Sequence, residues 1–153
     1  MVKATISIGR RTFLKTIAIS TTGTLLAGCS STGDSSKNDD SLATKEKQAF
    51  DGWFDNTANF DGIVDKTNTE EITVTVGAAG NNGLYAFAPP AIRIESGTTV
   101  TWKWTGKGGA HNVVVQEGTF QSKMTEAKGT VFEYLFKNTD VYKYFCEPTR
   151  QWG

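Results

Sequence analysis

Between residues 71 and 145 apolar side chains recur at every second position, in short runs broken by turns. That period belongs to strands with one face buried and one face wet, and it conflicts with the 3.6-residue repeat of an amphipathic helix. Glu71-Ile72-Thr73-Val74-Thr75-Val76 alternates polar with apolar, and Ile92 and Ile94 repeat the pattern before a Ser96-Gly97 turn. Thr98 to Trp104 sets Val100, Trp102 and Trp104 on one face and Thr99, Thr101 and Lys103 on the other. A β-branched run from His111 to Gln116, then Thr130 to Phe136 and Val141 to Phe145, extend the series, with Gly, Asn and Asp concentrated between them. Short strands at this spacing predict an all-β fold, a Greek-key antiparallel β-sandwich. No helical pattern alternates with the strands, which excludes a parallel βαβ sheet. Pro89-Pro90 falls between strands, where a missing backbone donor harms no ladder. Ahead of the sheet, Phe50, Trp53, Phe54 and Phe60 alternate with polar residues and predict a short packing segment of one or two helical turns.

The first 28 residues read differently. Gly9-Arg10-Arg11-Thr12-Phe13-Leu14-Lys15 resembles a twin-arginine export signal, and the weakly apolar stretch from Thr16 to Leu26 is shorter than the ~20 residues a spanning helix needs. Leu26-Ala27-Gly28-Cys29 resembles a lipoprotein cleavage box whose cysteine becomes the lipidated first residue. Residues 29–48 are rich in Ser, Asp, Lys, Asn, Gly and Thr and poor in apolar side chains. Such a segment cannot offset its ordering entropy, so a flexible tether is expected there. The resulting division is 1–28 export signal, 29–48 tether and 49–153 folded domain. It places the protein on the extracytoplasmic face of the cell membrane, anchored through lipid on Cys29.

Charge excludes one function class. The chain carries 16 basic and 16 acidic side chains, but Lys3, Arg10, Arg11 and Lys15 all precede Cys29. The remainder is acidic and shows no basic stripe, so nucleic acid is not expected as a partner. Two cysteines in unrelated contexts do not make a disulfide framework.

Two residues in the folded part carry chemistry. His111, the only histidine of the chain, follows the glycine-rich turn Gly108-Gly109-Ala110. Cys146 ends Tyr142-Lys143-Tyr144-Phe145, and strand parity sets its sulfur on the face of Tyr142 and Tyr144. Each has an ordinary reading alone: a hydrogen-bonded surface histidine, and a small buried hydrophobe. Together they suit a metal-site rim better than a nucleophile and its base, since no further acid–base constellation and no phosphate loop accompanies them. The chain is not expected to be an enzyme.

In context the residues resemble a known family. Phe60-Asp61-Gly62-Ile63-Val64-Asp65, Phe87-Ala88-Pro89 and Gly97-Thr98-Thr99-Val100-Thr101-Trp102-Lys103-Trp104 are similar to stretches of the halocyanins, the plastocyanin-like blue copper proteins of archaea. Gly108-Gly109-Ala110-His111-Asn112-Val113-Val114 and Tyr142-Lys143-Tyr144-Phe145-Cys146-Glu147-Pro148 complete the resemblance, which covers the chain from about Trp53 to Pro148. It implies a cupredoxin sandwich, one type 1 copper ion and one-electron transfer with redox protein partners at the membrane surface, by a monomer. It further implies that His111 and Cys146 are metal ligands, that Asn112 ties the two ligand loops together, and that apolar residues around the loops form the docking patch.

The same resemblance exposes departures. Blue copper sites use two histidines, a cysteine and a weak axial methionine. The second histidine belongs at position 149, where this chain has Thr149, and the methionine belongs just past Gly153. The final strand would follow it. The sequence thus leads one to expect a sandwich lacking its last strand and a copper site short of ligands. A single base lost inside the Pro148 codon accounts for this pattern. A proline codon ending in C, followed by threonine, reads as Pro-His when the base is restored. The alternatives are a sandwich that has lost its copper and acts as a non-redox surface module, and loose Cu(I) or Zn binding through His111 and Cys146 alone.

Overall fold

The computed structural model describes residues 3–9 and 44–149. The expected arginine pair, apolar stretch, lipidated Cys29 and most of the tether lie outside the described residues. The described residues form nine strands in chain order: β1 Lys3–Gly9, β2 Val64–Asp65, β3 Glu71–Gly80, β4 Gly83–Ala88, β5 Ala91–Glu95, β6 Thr99–Trp104, β7 Val114–Val115, β8 Val131–Leu135 and β9 Val141–Phe145. They form two sheets, one of order β2-β5-β1-β9-β7 and one of order β4-β3-β6-β8. The core lies between them. Ile72, Val74 and Val76 of β3 and Val100, Trp102 and Trp104 of β6 meet Ile92 and Ile94 of β5 and Tyr142 and Tyr144 of β9. The period-two alternation therefore sorts the faces as expected, and each aliphatic side chain so buried is worth roughly 1.5–3 kcal/mol. Trp102 sits at the centre, edge-on to Tyr144 at 5.4 Å and tilted against Phe120 at 5.5 Å.

The all-β sandwich is the one expected, and its strand pairing is mixed. β3 runs parallel to β6, and β5 runs parallel to both β2 and β1. The chain turns back from β3 into β4, crosses to the facing sheet as β5, and returns as β6 alongside β3. The β3–β4 hairpin, not anticipated from the sequence, turns on Asn81 and Asn82, both at positive φ (56° and 62°). Two such residues in a two-residue loop make the turn whose twist suits paired strands.

The larger difference concerns the sheet that carries β9. The sequence leads one to expect a strand missing beside it. Instead β1, from the segment read as an export leader, lies between β5 and β9. Its register runs Thr5 to Gly9 against Ala91 to Glu95, and Lys3 to Ser7 against Phe145 back to Val141.

The packing segment precedes β2. Residues 44–49 are helical, a little earlier than expected and all but the last inside the stretch read as tether, because Lys, Glu, Gln and Ala favour a helix. Phe50, Phe54 and Phe60 follow as an aromatic cap, with Phe54 stacked on Phe60 at 4.0 Å and both packed against Ala91. Hydrogen bonds from Ile63 N–H to Glu46 Oε2 (2.8 Å) and from Asn59 Nδ2 to Phe87 O (2.8 Å) tie this segment to the sandwich. No helix among the described residues is long and apolar enough to cross a membrane.

Candidate metal centre

Two loops meet at one end of the sandwich. The first, residues 105–113, leaves β6 and enters β7. Glycine sets its path: Gly77 (φ 79°) and Gly108 (φ 80°) adopt left-handed backbone. A Cβ on Gly77 would stand 2.5 Å from Lys107 O, and one on Gly108 would run into Leu84 O. Only glycine lets the loop lie this close to the β3–β4 hairpin. Held there, Lys107 O accepts a hydrogen bond from His111 Nε2 at 3.0 Å. Nε2 therefore carries the ring hydrogen and Nδ1 keeps its lone pair. The backbone of His111 is clamped as well. It donates to Thr125 O (2.9 Å) and accepts from Thr125 N–H (3.0 Å), and the Trp104 indole donates to His111 O at 3.2 Å.

The second loop follows β9. Tyr142, Tyr144 and Cys146 are all buried on the core face, as parity predicts. Cys146 Sγ comes to rest 3.5 Å from His111 Nδ1. Both residues are almost sealed, His111 at 2 % and Cys146 at 1 % exposure. A soft cation bound here would be held by the sulfur and the imidazole nitrogen together.

Asn112 fastens the loops together. Its Nδ2 donates to Glu147 Oε2 at 2.6 Å, and its Oδ1 accepts the Glu147 backbone N–H at 2.9 Å. The role implied for Asn112 thus has a bonded partner, and that partner, Glu147, was not singled out from the sequence. Neither was the Lys107 carbonyl, a backbone atom that no side-chain motif could reveal.

Burial acts on the pair in a definite sense. It holds the His111 imidazole below its ordinary value of 6.5, with the bond to Lys107 O opposing. It pushes the Cys146 thiol up, against hydrogen bonds from Asn112 and Thr149. Without a cation the stable form is a neutral imidazole facing a protonated thiol. That suits a ligand pair, which releases a proton on binding metal, and does not suit a nucleophile, which needs an exposed low-pKa thiolate.

The third corner differs. Thr149 lies beside Cys146 and donates its hydroxyl to Cys146 O at 3.0 Å. Among the described residues no group of three or more His, Cys, Asp or Glu side chains converges on one point. The donor set therefore fits copper at two positions, a thiolate and an imidazole, and offers a hydroxyl where a further imidazole is implied. Two exposed apolar side chains flank the loops: Leu84, whose carbonyl meets Gly108, and Met124, beside the Thr125 that clamps His111.

Comparison with known proteins identifies the family. Residues 72–153 match the model of copper binding proteins of the plastocyanin/azurin family. A halocyanin from Natronomonas pharaonis is 46% identical over 115 residues, spanning 72% of this chain and 69% of that protein.

Proposed function

Because the chain belongs to the plastocyanin/azurin family of copper-binding proteins, we propose that His111 Nδ1 and Cys146 Sγ hold its copper and that it works tethered to a membrane. Membership makes it an electron carrier rather than a catalyst, with copper as cofactor and redox proteins as partners. The observation that supports the ligand assignment best is the 3.5 Å approach of two buried atoms, with the histidine tautomer already set. When bound, copper supplies a one-electron Cu(I)/Cu(II) couple, for which thiolate suits the reduced ion and imidazole suits both.

The chain's own residues prepare the site. Lys107 O turns Nδ1 toward the sulfur, Thr125 and Trp104 hold the histidine backbone, and the Asn112–Glu147 bonds keep the two loops at a fixed separation. A pair so held rearranges little when charge changes. Leu84 and Met124 give the rim an apolar face for a redox partner. Thr149 weakens retention of the ion, because a neutral hydroxyl is a poor substitute for imidazole. Arg10-Arg11 and the box ending at Cys29 support export and lipid anchoring at the extracytoplasmic face, with the chain acting as a monomer.

Titration of the full chain with Cu(II) tests the ligands. The blue colour of a copper–thiolate band should develop, weakly, in the parent chain, should be absent in Cys146→Ser, and should intensify with tighter binding in Thr149→His. Colour persisting in Cys146→Ser would refute the thiolate assignment. No colour in the parent chain or in Thr149→His would leave a non-redox sandwich module as the reading.

A further inference from the structure

The five-stranded sheet is joined at its middle by a strand from the far end of the sequence. β5 and β9 are not neighbours, and β1 stands between them. Without β1 the order separates into β2-β5 and β9-β7, and the outer member of each pair is only two residues long. β5 and β9 would then each present a row of backbone N–H and C=O groups with no ladder partner, which is a template for another strand. β9 leads straight into Cys146. Its only remaining sheet neighbour would be Val114–Val115.

The sequence of β1 suits this position. Thr5 and Ser7 alternate with Ala4, Ile6 and Ile8. The register sets Ala4 opposite Tyr144 and Ile6 opposite Tyr142, and places Ile6 and Ile8 beside Ile92 and Ile94. All four of those partners belong to the buried face.

We propose that Lys3–Gly9 is an intramolecular donor strand: it fills a strand-accepting slot between β5 and β9 and thereby fixes the loop that carries Cys146. The slot selects an extended segment of alternating apolar and polar residues, parallel to Ala91–Glu95 and antiparallel to Val141–Phe145. Its occupant in the unprocessed chain is the N-terminal segment, and the cleavage before Cys29 that lipid anchoring requires would release it and reopen the slot. The proposal does not rest on the copper reading, and its test needs no metal.

Hydrogen–deuterium exchange on the full chain provides that test. In the parent chain, residues 3–9 and 141–145 should exchange slowly and with similar protection. Ile6→Pro removes a backbone donor inside the strand. It should strip protection from residues 3–9 and lower it at 91–95 and 141–145 by about tenfold, while β3 and β6 keep theirs. Ile6→Val should behave like the parent. Exchange of residues 3–9 at the free-chain rate in the parent, or unchanged protection of 141–145 in Ile6→Pro, would overturn the proposal. Should Ile6→Pro not fold, a protease site placed between residues 30 and 43 decides the matter. After cutting, the N-terminal fragment should co-elute with the domain, and immediate separation of the two would overturn it.

Discussion

Asn112 is buried at the junction of two loops, and its amide makes a bond in each direction across them. Asn112→Ala would leave a carboxylate oxygen and a backbone N–H of Glu147 without these partners. The expected cost is about 1 kcal/mol, the net worth of hydrogen bonds whose freed partner, the exposed Glu147, can turn to water. Urea unfolding of the apoprotein checks it, and a loss under 0.5 kcal/mol (about the scatter for ordinary surface changes) would mean that the loops hold together without Asn112. His111 carries a pH dependence. Its folded pKa is depressed by burial from the ordinary 6.5, so the unfolded chain takes up its proton first as pH falls. The apoprotein should therefore keep this contribution to stability above about pH 6.5 and lose it progressively as pH falls from there through the folded value. Melting temperatures measured across that range should decline in the parent and decline less in His111→Gln. Both candidate ligands were legible in the sequence because thiol and imidazole are rare, chemically distinct side chains. Lys107 and Glu147 were not legible, because their parts depend on where a backbone carbonyl and a loop carboxylate end up. The placement of the Lys107 carbonyl follows from the close approach at Gly77 and Gly108, and that of Glu147 from its bonds to Asn112.

Strands with β-branched or tryptophan-rich alternation could be read directly. Val141–Phe145 has the expected bounds, and Thr99–Trp104 and Val131–Leu135 differ from expectation only at their ends. Gly83–Ala88 was missed because its run of Gly, Leu, Tyr, Ala and Phe lacks β-branched residues. The Asn81-Asn82-Gly83 turn was the signal that could have found it. The run from His111 to Gln116 forms a ladder strand only at Val114–Val115. Val113 N–H is taken by Ser122 Oγ at 2.9 Å, and His111 pairs with Thr125 in an isolated bridge. In β6, Trp102 touches Phe120, Phe132, Phe136 and Tyr144, drawing both sheets onto one side chain. Trp102→Ala should cost about 3–5 kcal/mol in urea unfolding, the range for a large aromatic removed from a packed core. A loss below 1.5 kcal/mol would mean that the facing sheets close over the gap.

At the scale of the whole molecule, a ligand that binds only the folded state adds to stability by mass action. Copper at about 100 times its dissociation constant should contribute about 2.7 kcal/mol. Calorimetry should show the melting temperature of the parent chain rising with copper, returning after chelation, and failing to respond in Cys146→Ser. The sandwich itself was legible from the period of its strands. The way one sheet is completed was not, because it depends on a short leader-like stretch pairing with strands that no local pattern connects to it.

That pairing also sets an order of events. Lys3 lies opposite Phe145, almost the whole length of the chain away, and loops of that size close slowly. A chain made from its N-terminus must wait for β9 before β1 can be enclosed between β5 and β9. Until β9 pairs, Cys146 directly behind it stays open, and that interval is when an oxidant or a stray metal ion could reach the thiol.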